Sequence, residues 1–117
     1  MATNSQIAFN PQGKTVAIAA AGTAPTGVQA PVDTRFDAQA TGQMRVINSG
    51  TVTVHLGVGP TAAEATANAV AAVAGTPGTG LPLVAGAVEI IRFPVGSYFS
   101  GLAAAATTLY ITPGEGI

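Results

Sequence analysis

Three short strand patterns, separated by turns rich in glycine and alanine, occupy most of the last third of the chain. They cover residues 88–93, 98–102 and 107–112. Each has the length of an ordinary strand, and each is bounded by residues that favour turns. Patterns that alternate every second residue outnumber helical patterns along the chain. The sequence therefore predicts an all-β fold.

The strongest prediction of a half-buried strand falls earlier, where residues 43–47 and 51–56 flank Asn48, Ser49 and Gly50. Because Asn and Gly tolerate positive φ, this connection predicts a tight hairpin. The second arm alternates strictly, which is typical of a strand with one buried face. Its predicted inward residues are Val52, Val54, Leu56 and Val58, and its predicted outward residues are Thr51, Thr53, His55 and Gly57.

The N-terminal part combines one predicted strand with connecting segments. Residues 1–13 are polar and contain Pro11 and Gly13, so we expect a terminal arm. Residues 15–20 have a strand pattern with Val16 and Ile18 on one face. The remaining predictions are a turn at residues 22–27, a short edge segment at 28–32, where Pro31 lacks a ladder donor, and a loop at 33–42.

The character of the sequence changes between residues 60 and 80. Thr61 and Glu64 have the spacing of a capping box, which predicts a helix of about three turns, with a long loop as the alternative. Residues 75–80 are predicted to be irregular, because they consist of glycine, threonine and proline. At the other end, residues 113–117 predict a tail that starts with a turn at Pro113 and Gly114 and serves either as a solvated end or as a contact arm.

These patterns together predict one domain, residues 1–117, with an N-terminal arm at 1–13 and a C-terminal tail at 113–117. The expected architecture is an antiparallel β-sandwich, jelly-roll-like, of about seven or eight short strands. One long excursion interrupts it around residues 60–80.

Charged residues are scarce and do not cluster by sign. They make up 8% of the chain, against about 25% in an average soluble domain, and the formal net charge is −1. Nucleic acid is not an expected partner, because its binding needs a basic patch. A membrane is not expected either, since no window approaches about 18 apolar residues. A surface poor in charge and a core poor in large side chains predict a homo-oligomer, either a dimer or a trimer.

Three features have the residue types of a chemical site, and each has a simpler explanation. Residues 57–62 loosely match a dinucleotide-binding fingerprint, but a strand-ending glycine turn explains them better. His55 lacks a local nucleophile or orienting carboxylate and is expected at the surface or at an interface. Asp33 and Asp37 share a loop without the ligand density of a calcium site. The chain has no cysteine, so it has neither disulfides nor thiolate metal ligands. From these observations we expect no enzyme, no catalytic residues, no cofactor and no metal site.

Three short motifs carry a resemblance to a known family. They are a strand with a glycine-rich end, a Leu/Pro-Gly-Val-Glu strand and a closing tail. In this chain they read His55-Leu56-Gly57-Val58-Gly59, Leu83-Val84-Ala85-Gly86-Ala87-Val88-Glu89 and Thr108-Leu109-Tyr110-Ile111-Thr112-Pro113-Gly114-Glu115-Gly116. Together, over residues 46–59 and 81–116, they resemble small β-sandwich virion proteins of tailed bacteriophages.

The resemblance implies a structural role. Several proteins of that family decorate or cement the phage head, so the expected function is a head decoration protein that binds and stabilises the lattice of the major capsid protein. Its expected location is the capsid exterior of the virion, after synthesis in the host cytoplasm. The family brings no catalytic residues. A tail or receptor-binding module and a bacterial surface adhesion domain are the alternative interpretations.

Overall fold

The computed structural model describes residues 10–11, 14–30, 43–94 and 96–115, and these form nine strands and one helix. The predicted all-β class is confirmed. In chain order the elements are β1 (Asn10–Pro11), β2 (Val16–Ala20), β3 (Val28–Gln29), β4 (Gln43–Asn48), β5 (Val54–Gly59), α1 (Ala62–Asn68), β6 (Leu81–Leu83), β7 (Val88–Arg92), β8 (Tyr98–Ala103) and β9 (Thr107–Glu115).

The strands form two antiparallel sheets that pack as a sandwich. In sheet A, β9 lies between β4 and an edge made by β1 and β2 in line, and β7 forms the opposite edge. In sheet B the strand order is β3-β8-β5-β6. Each sheet is therefore four strands wide, and the prediction of an antiparallel sandwich is confirmed.

The pairing of the strands is nested in the way that defines a jelly roll. β2 pairs with β9, β3 with β8, β4 with β7, and β5 with β6. The chain thus behaves as one long hairpin that has been rolled up into two sheets. Two further pairings, β4 with β9 and β5 with β8, join the nested pairs within each sheet. The jelly-roll-like prediction is confirmed.

The core lies between the two sheets and is filled by alternate residues of their strands. Phe99 of β8 packs edge-to-face on Phe93, with ring centroids 5.0 Å apart. Val54 and Leu56 are buried, and Val52 and Val58 are half-buried against the core, so the predicted inward face of β5 is confirmed. The buried cluster consists of Ile18, Ala20, Ala30, Met44, Val46, Val54, Leu56, Leu83, Phe99, Ala103, Leu109 and Ile111.

The predicted hairpin between β4 and β5 is wrong. β4 pairs with β7 and β9 in sheet A, whereas β5 pairs with β6 and β8 in sheet B. Residues 49–53 cross from one sheet to the other, and β5 begins at Val54 rather than at residue 51. The residue types that permit a tight hairpin also permit this corner. Contacts of Asn48 with distant parts of the chain stabilise the corner.

The predicted turn at the start of the C-terminal tail is also wrong, because residues 113–115 continue β9. Gly114 pairs with Gln43 on one side and with Pro11 on the other. Pro113 coincides with a break in the outer ladder, since the β2 register ends at Ile111 and the β1 register starts at Gly114. Strands tolerate proline at such interruptions.

Some predicted segments lie outside the described residues. These include most of the predicted arm and the predicted loop, within residues 1–9, 31–42 and 116–117.

The excursion between β5 and β6 begins with α1, so the helical alternative holds for residues 62–68. The Thr61 side chain accepts a hydrogen bond from the Glu64 backbone N–H at 3.2 Å, as the capping-box spacing predicts. The helix has seven residues instead of about three turns. Val73 and Thr76 exchange two backbone hydrogen bonds beyond it, around Gly75, whose φ is +81°.

Candidate functional site

The outer face of sheet B is covered by α1, and glycines of β5 make the close approach possible. A Cβ atom on Gly59 would lie 2.8 Å from the Ala65 backbone nitrogen, and one on Gly57 would lie 2.7 Å from the Ala69 Cα and overlap the Ala65 carbonyl. Gly57 therefore faces outward from the core, as predicted, but it is buried under the helix. Any side chain at these positions would push α1 away from the sheet.

Hydrogen bonds fasten α1 to the rest of sheet B. The Asn68 side-chain amide donates to the Val58 carbonyl at 2.7 Å. The hydroxyls of Thr66 and Ser100 both donate to the Pro25 carbonyl, at 2.8 Å and 2.7 Å. The Pro25 carbonyl thus joins the helix, the turn before β3 and strand β8. The outer face of sheet B is therefore covered by a segment of the same chain.

The outer face of sheet A has no such cover among the described residues. Across this face, the cross-strand register aligns one residue from each of its four strands: Val88, Ile47, Tyr110 and Ala17. We call these four residues the apolar row. Residues that pair directly across antiparallel strands lie on the same face. Val88 is 54% exposed and Tyr110 39% exposed, so the row forms an apolar stripe on the surface.

A second line of residues runs beside the apolar row and adds one charge. Ile90, which is 52% exposed, pairs with Arg45, and Arg45 pairs with Thr112. The Thr112 hydroxyl lies 2.8 Å from the hydroxyl of Thr15. Arg45 is exposed on this face. Arg92 follows Ile90 on the same side of β7 and is also exposed. The described part of this face therefore combines the apolar row with two arginines and a hydroxyl pair, which suits contact with another protein surface.

The sequence-based site candidates are not brought together by the fold. Residues 57–62 run from β5 into α1, but their strand belongs to an antiparallel sheet, so the context of a dinucleotide site is absent. His55 lies half-buried on the outward side of β5, beside Gly80, and its Nδ1 atom is buried without a hydrogen-bond partner. Asp33 and Asp37 lie outside the described residues.

A groove lies between the end of β5 and the segment that precedes β8. It has a volume of about 480 Å³ and is lined by the end of β5 and by the segment before β8. Its described lining is mainly apolar and includes no charged residue. The Ser97 hydroxyl donates to the Pro94 carbonyl at 2.6 Å. The lining residues are Val58, Gly59, Pro60, Pro94, Gly96 and Ser97.

The described residues form neither a metal-binding cluster nor a helix able to span a membrane. They contain no group of three or more histidine, aspartate or glutamate side chains placed to hold a metal ion. None of their helices has the length and apolar character needed to cross a bilayer.

The chain was compared with protein-family models, with curated proteins and with solved structures, and none of these matched. The outer face of sheet A, which no described segment covers, is therefore the basis for a functional proposal. Sequence patterns alone did not locate the apolar row, because its members come together through pairings between β4, β7 and β9 that join distant parts of the chain. The signal available in the sequence was the pair of apolar residues Val88 and Ile90, at alternate positions of the predicted strand 88–93.

Proposed function

We propose that this chain is a structural virion protein of a tailed bacteriophage, and specifically a head decoration protein that binds the major capsid protein lattice. The observation that carries the proposal is the uncovered apolar row on sheet A. The resemblance of residues 46–59 and 81–116 to small virion proteins supports the choice of partner. The jelly-roll sandwich is compatible with a purely structural role.

Docking through the apolar row would rest on burial of apolar surface. Each Å² of apolar surface removed from water contributes about 25 cal/mol. Charges offer little in comparison, because exposed ion pairs give only about 0.2–1 kcal/mol each. The chain has four basic and five acidic residues, spread along its length. Binding to capsids should therefore change little between low and moderate salt.

The test uses phage capsids assembled without this protein, to which purified protein is added before sedimentation of the particles. Val88→Glu places a charge in the apolar row, and we expect the affinity to fall by about tenfold or more, because docking would then bury an unpaired carboxylate. The matched control is Val73→Glu. Val73 is 62% exposed in the turn after α1, the helix that covers the outer face of sheet B, and its replacement should leave binding unchanged.

Two results would contradict the proposal. One is equal binding of the Val88→Glu and wild-type proteins. The other is loss of binding as salt approaches physiological strength, where the Debye length is about 8 Å and charge attraction is screened. Immunogold labelling of intact virions gives a separate check. Label on the tail instead of the head would favour the tail or receptor-binding alternative.

A further inference from the structure

Three of the four sheet edges carry features that oppose the addition of another strand. β3 has two residues, and β6 has three, one of which is Pro82. β7 carries Glu89 and Arg92, and Glu89 lies on the face turned toward sheet B, because it pairs with buried Val46. Short edges, prolines and inward-pointing charges are known to prevent unwanted strand pairing. These three edges are therefore protected.

The β2 edge has none of these features. Its five residues carry no charge and no proline. In the described part of the chain, β2 pairs with β9 along one of its sides. Ala17 and Ala19 are exposed on the outer face of sheet A, while Ile18 and Ala20 point into the core. An uncharged edge strand of this length is a template for strand addition.

We propose that two copies of this chain pair through their β2 strands, antiparallel, about a two-fold axis at Ile18. Side chains alternate between the two faces of a strand, so exposed residues of one copy must lie opposite exposed residues of the other. A pair centred on Ile18 meets this condition and uses the whole strand. Ala17 then lies opposite Ala19 of the second copy, and Val16 lies opposite Ala20. The two A sheets form one continuous sheet.

The composition of β2 favours a second copy of the chain as the source of the strand that pairs with this edge. In the two-fold register every position is opposed by a small or apolar residue, so neither a steric conflict nor an unpaired charge arises. The nearest charged residue in the described chain is Lys14, which this register directs toward Gly22 of the second copy. The two lysines are therefore kept at opposite ends of the pair, where they do not repel each other.

Pairing through β2 would also extend the surface described above. Ala17 is the β2 member of the apolar row, so the rows of both copies lie on the same face of the joined sheet. This inference does not depend on the proposed function, because it concerns the association of the purified protein in solution. A failure to bind capsids would leave it intact.

The test exploits the predicted opposition of Ala17 and Ala19. In Ala17→Glu/Ala19→Glu, each introduced carboxylate faces another carboxylate across the two-fold axis. In Ala17→Glu/Ala19→Lys, each faces an ammonium group. Two like-charge pairs should raise the dimer dissociation constant by about tenfold or more, whereas two opposite-charge pairs should restore it to near the wild-type value. Sedimentation velocity of the full chain over a wide concentration range measures the dimer dissociation constant of each variant.

The control places two carboxylates on the opposite edge of sheet A. Val88→Glu/Ile90→Glu adds the same charge to β7, and the dimer should persist. Far-UV circular dichroism checks that each variant keeps its strand content. If a charged variant fails to fold, Ala17→Cys with a spin label gives a second test, because the chain has no native cysteine. The two labelled positions lie diagonally across the proposed pair, with Cα atoms about 7–8 Å apart, and should show strong dipolar broadening.

The inference is overturned by a wild-type protein that is monomeric over the whole concentration range. It is also overturned if the like-charge variant dimerises as well as the wild type, or if the opposite-charge variant dimerises no better than the like-charge one. A spin-labelled dimer without dipolar broadening would place the interface elsewhere.

Discussion

Asn48 joins the two sheets at the corner between β4 and β5, and replacing it by alanine should weaken the fold strongly. The side chain is completely buried. Its Nδ2 donates to the Val52, Leu83 and Val84 carbonyls at 2.8, 2.9 and 3.1 Å. Its Oδ1 accepts from the Gly50 backbone N–H at 3.1 Å and from the Thr107 hydroxyl at 3.2 Å. One side chain thus bonds to the corner itself, to the end of β6 and to the start of β9.

The expected loss of stability follows from these five hydrogen bonds. A typical intramolecular hydrogen bond contributes about 0.5–1.5 kcal/mol net, and a buried donor left without a partner costs about 1–3 kcal/mol. Asn48→Ala removes all five bonds and leaves the Gly50 N–H without its acceptor. We expect a loss of roughly 3–5 kcal/mol, which is a large share of the about 5–15 kcal/mol typical of a domain. The melting temperature should fall by roughly 10–20 °C.

Urea and thermal unfolding, followed by far-UV circular dichroism, measure the change, because the chain has no tryptophan. Ser49→Ala is the matched control. Ser49 is adjacent but exposed, and its hydroxyl makes one hydrogen bond, to the Thr108 carbonyl at 3.1 Å. Its loss should cost no more than about 1 kcal/mol. If Asn48→Ala is as stable as Ser49→Ala, the corner does not depend on the buried amide and the reasoning fails.

A third variant, Asn48→Asp, tests the role of the donors and adds a dependence on pH. The carboxylate would face the Val52 and Leu83 carbonyls without a proton to donate, so it should destabilise more than alanine at neutral pH. Burial and the facing carbonyls should raise the pKa of the introduced carboxyl above its unfolded value of about 3.9. The folded state then binds the proton more tightly. Stability is therefore lost as pH rises through the raised pKa and recovered on acidification.

Two further substitutions test how α1 is held on sheet B. Gly57→Ala should destabilise the protein by about 1–3 kcal/mol in urea unfolding, because the added methyl group would overlap the helix backbone. The control is Gly22→Ala, whose methyl group would lie in open space. It should change stability by less than about 1 kcal/mol. Equal effects of the two would show that α1 does not require close contact. Thr61→Ala removes the helix cap and should cost about 0.5–2 kcal/mol, with Thr61→Ser close to the wild type; faster amide hydrogen exchange confined to α1 in the alanine variant would locate the effect.

The positions of most strands could be predicted because alternation is a local property. β2 starts within a residue of its predicted position, and β7 and β8 each end within a residue of theirs. The faces of β2 and β5 were also predictable, since a strand buried on one side shows its pattern within a few residues. The same local pattern does not specify which strand pairs with which. β2 pairs with β9 at the far end of the chain, and nothing in either segment specifies that choice.

Both wrong predictions arose where turn residues suggested a local reversal. Asn48 and Gly50 are typical of a tight hairpin, yet the Asn48 side chain contacts Leu83 and Thr107, and these long-range bonds select a corner between sheets. Pro113 and Gly114 are typical of a turn, yet the ladders with β1 and β4 keep them in a strand. In each case a tertiary contact overrides a local preference, as it does for strand propensity in general.

The placement of glycines determines which face of the sandwich α1 covers, and the other outer face has no such cover among the described residues. On the outward side of β5, Gly57 and Gly59 leave room for the backbone of α1 at van der Waals distance. On the outward side of sheet A, the corresponding positions of the central strands hold Ile47 and Tyr110, whose side chains stand above the sheet. A helix could not approach that backbone closely, and no described segment lies over it. The same alternation that builds the core thus leaves one apolar face exposed, and burial of that face against another protein is the physical basis of the proposed docking.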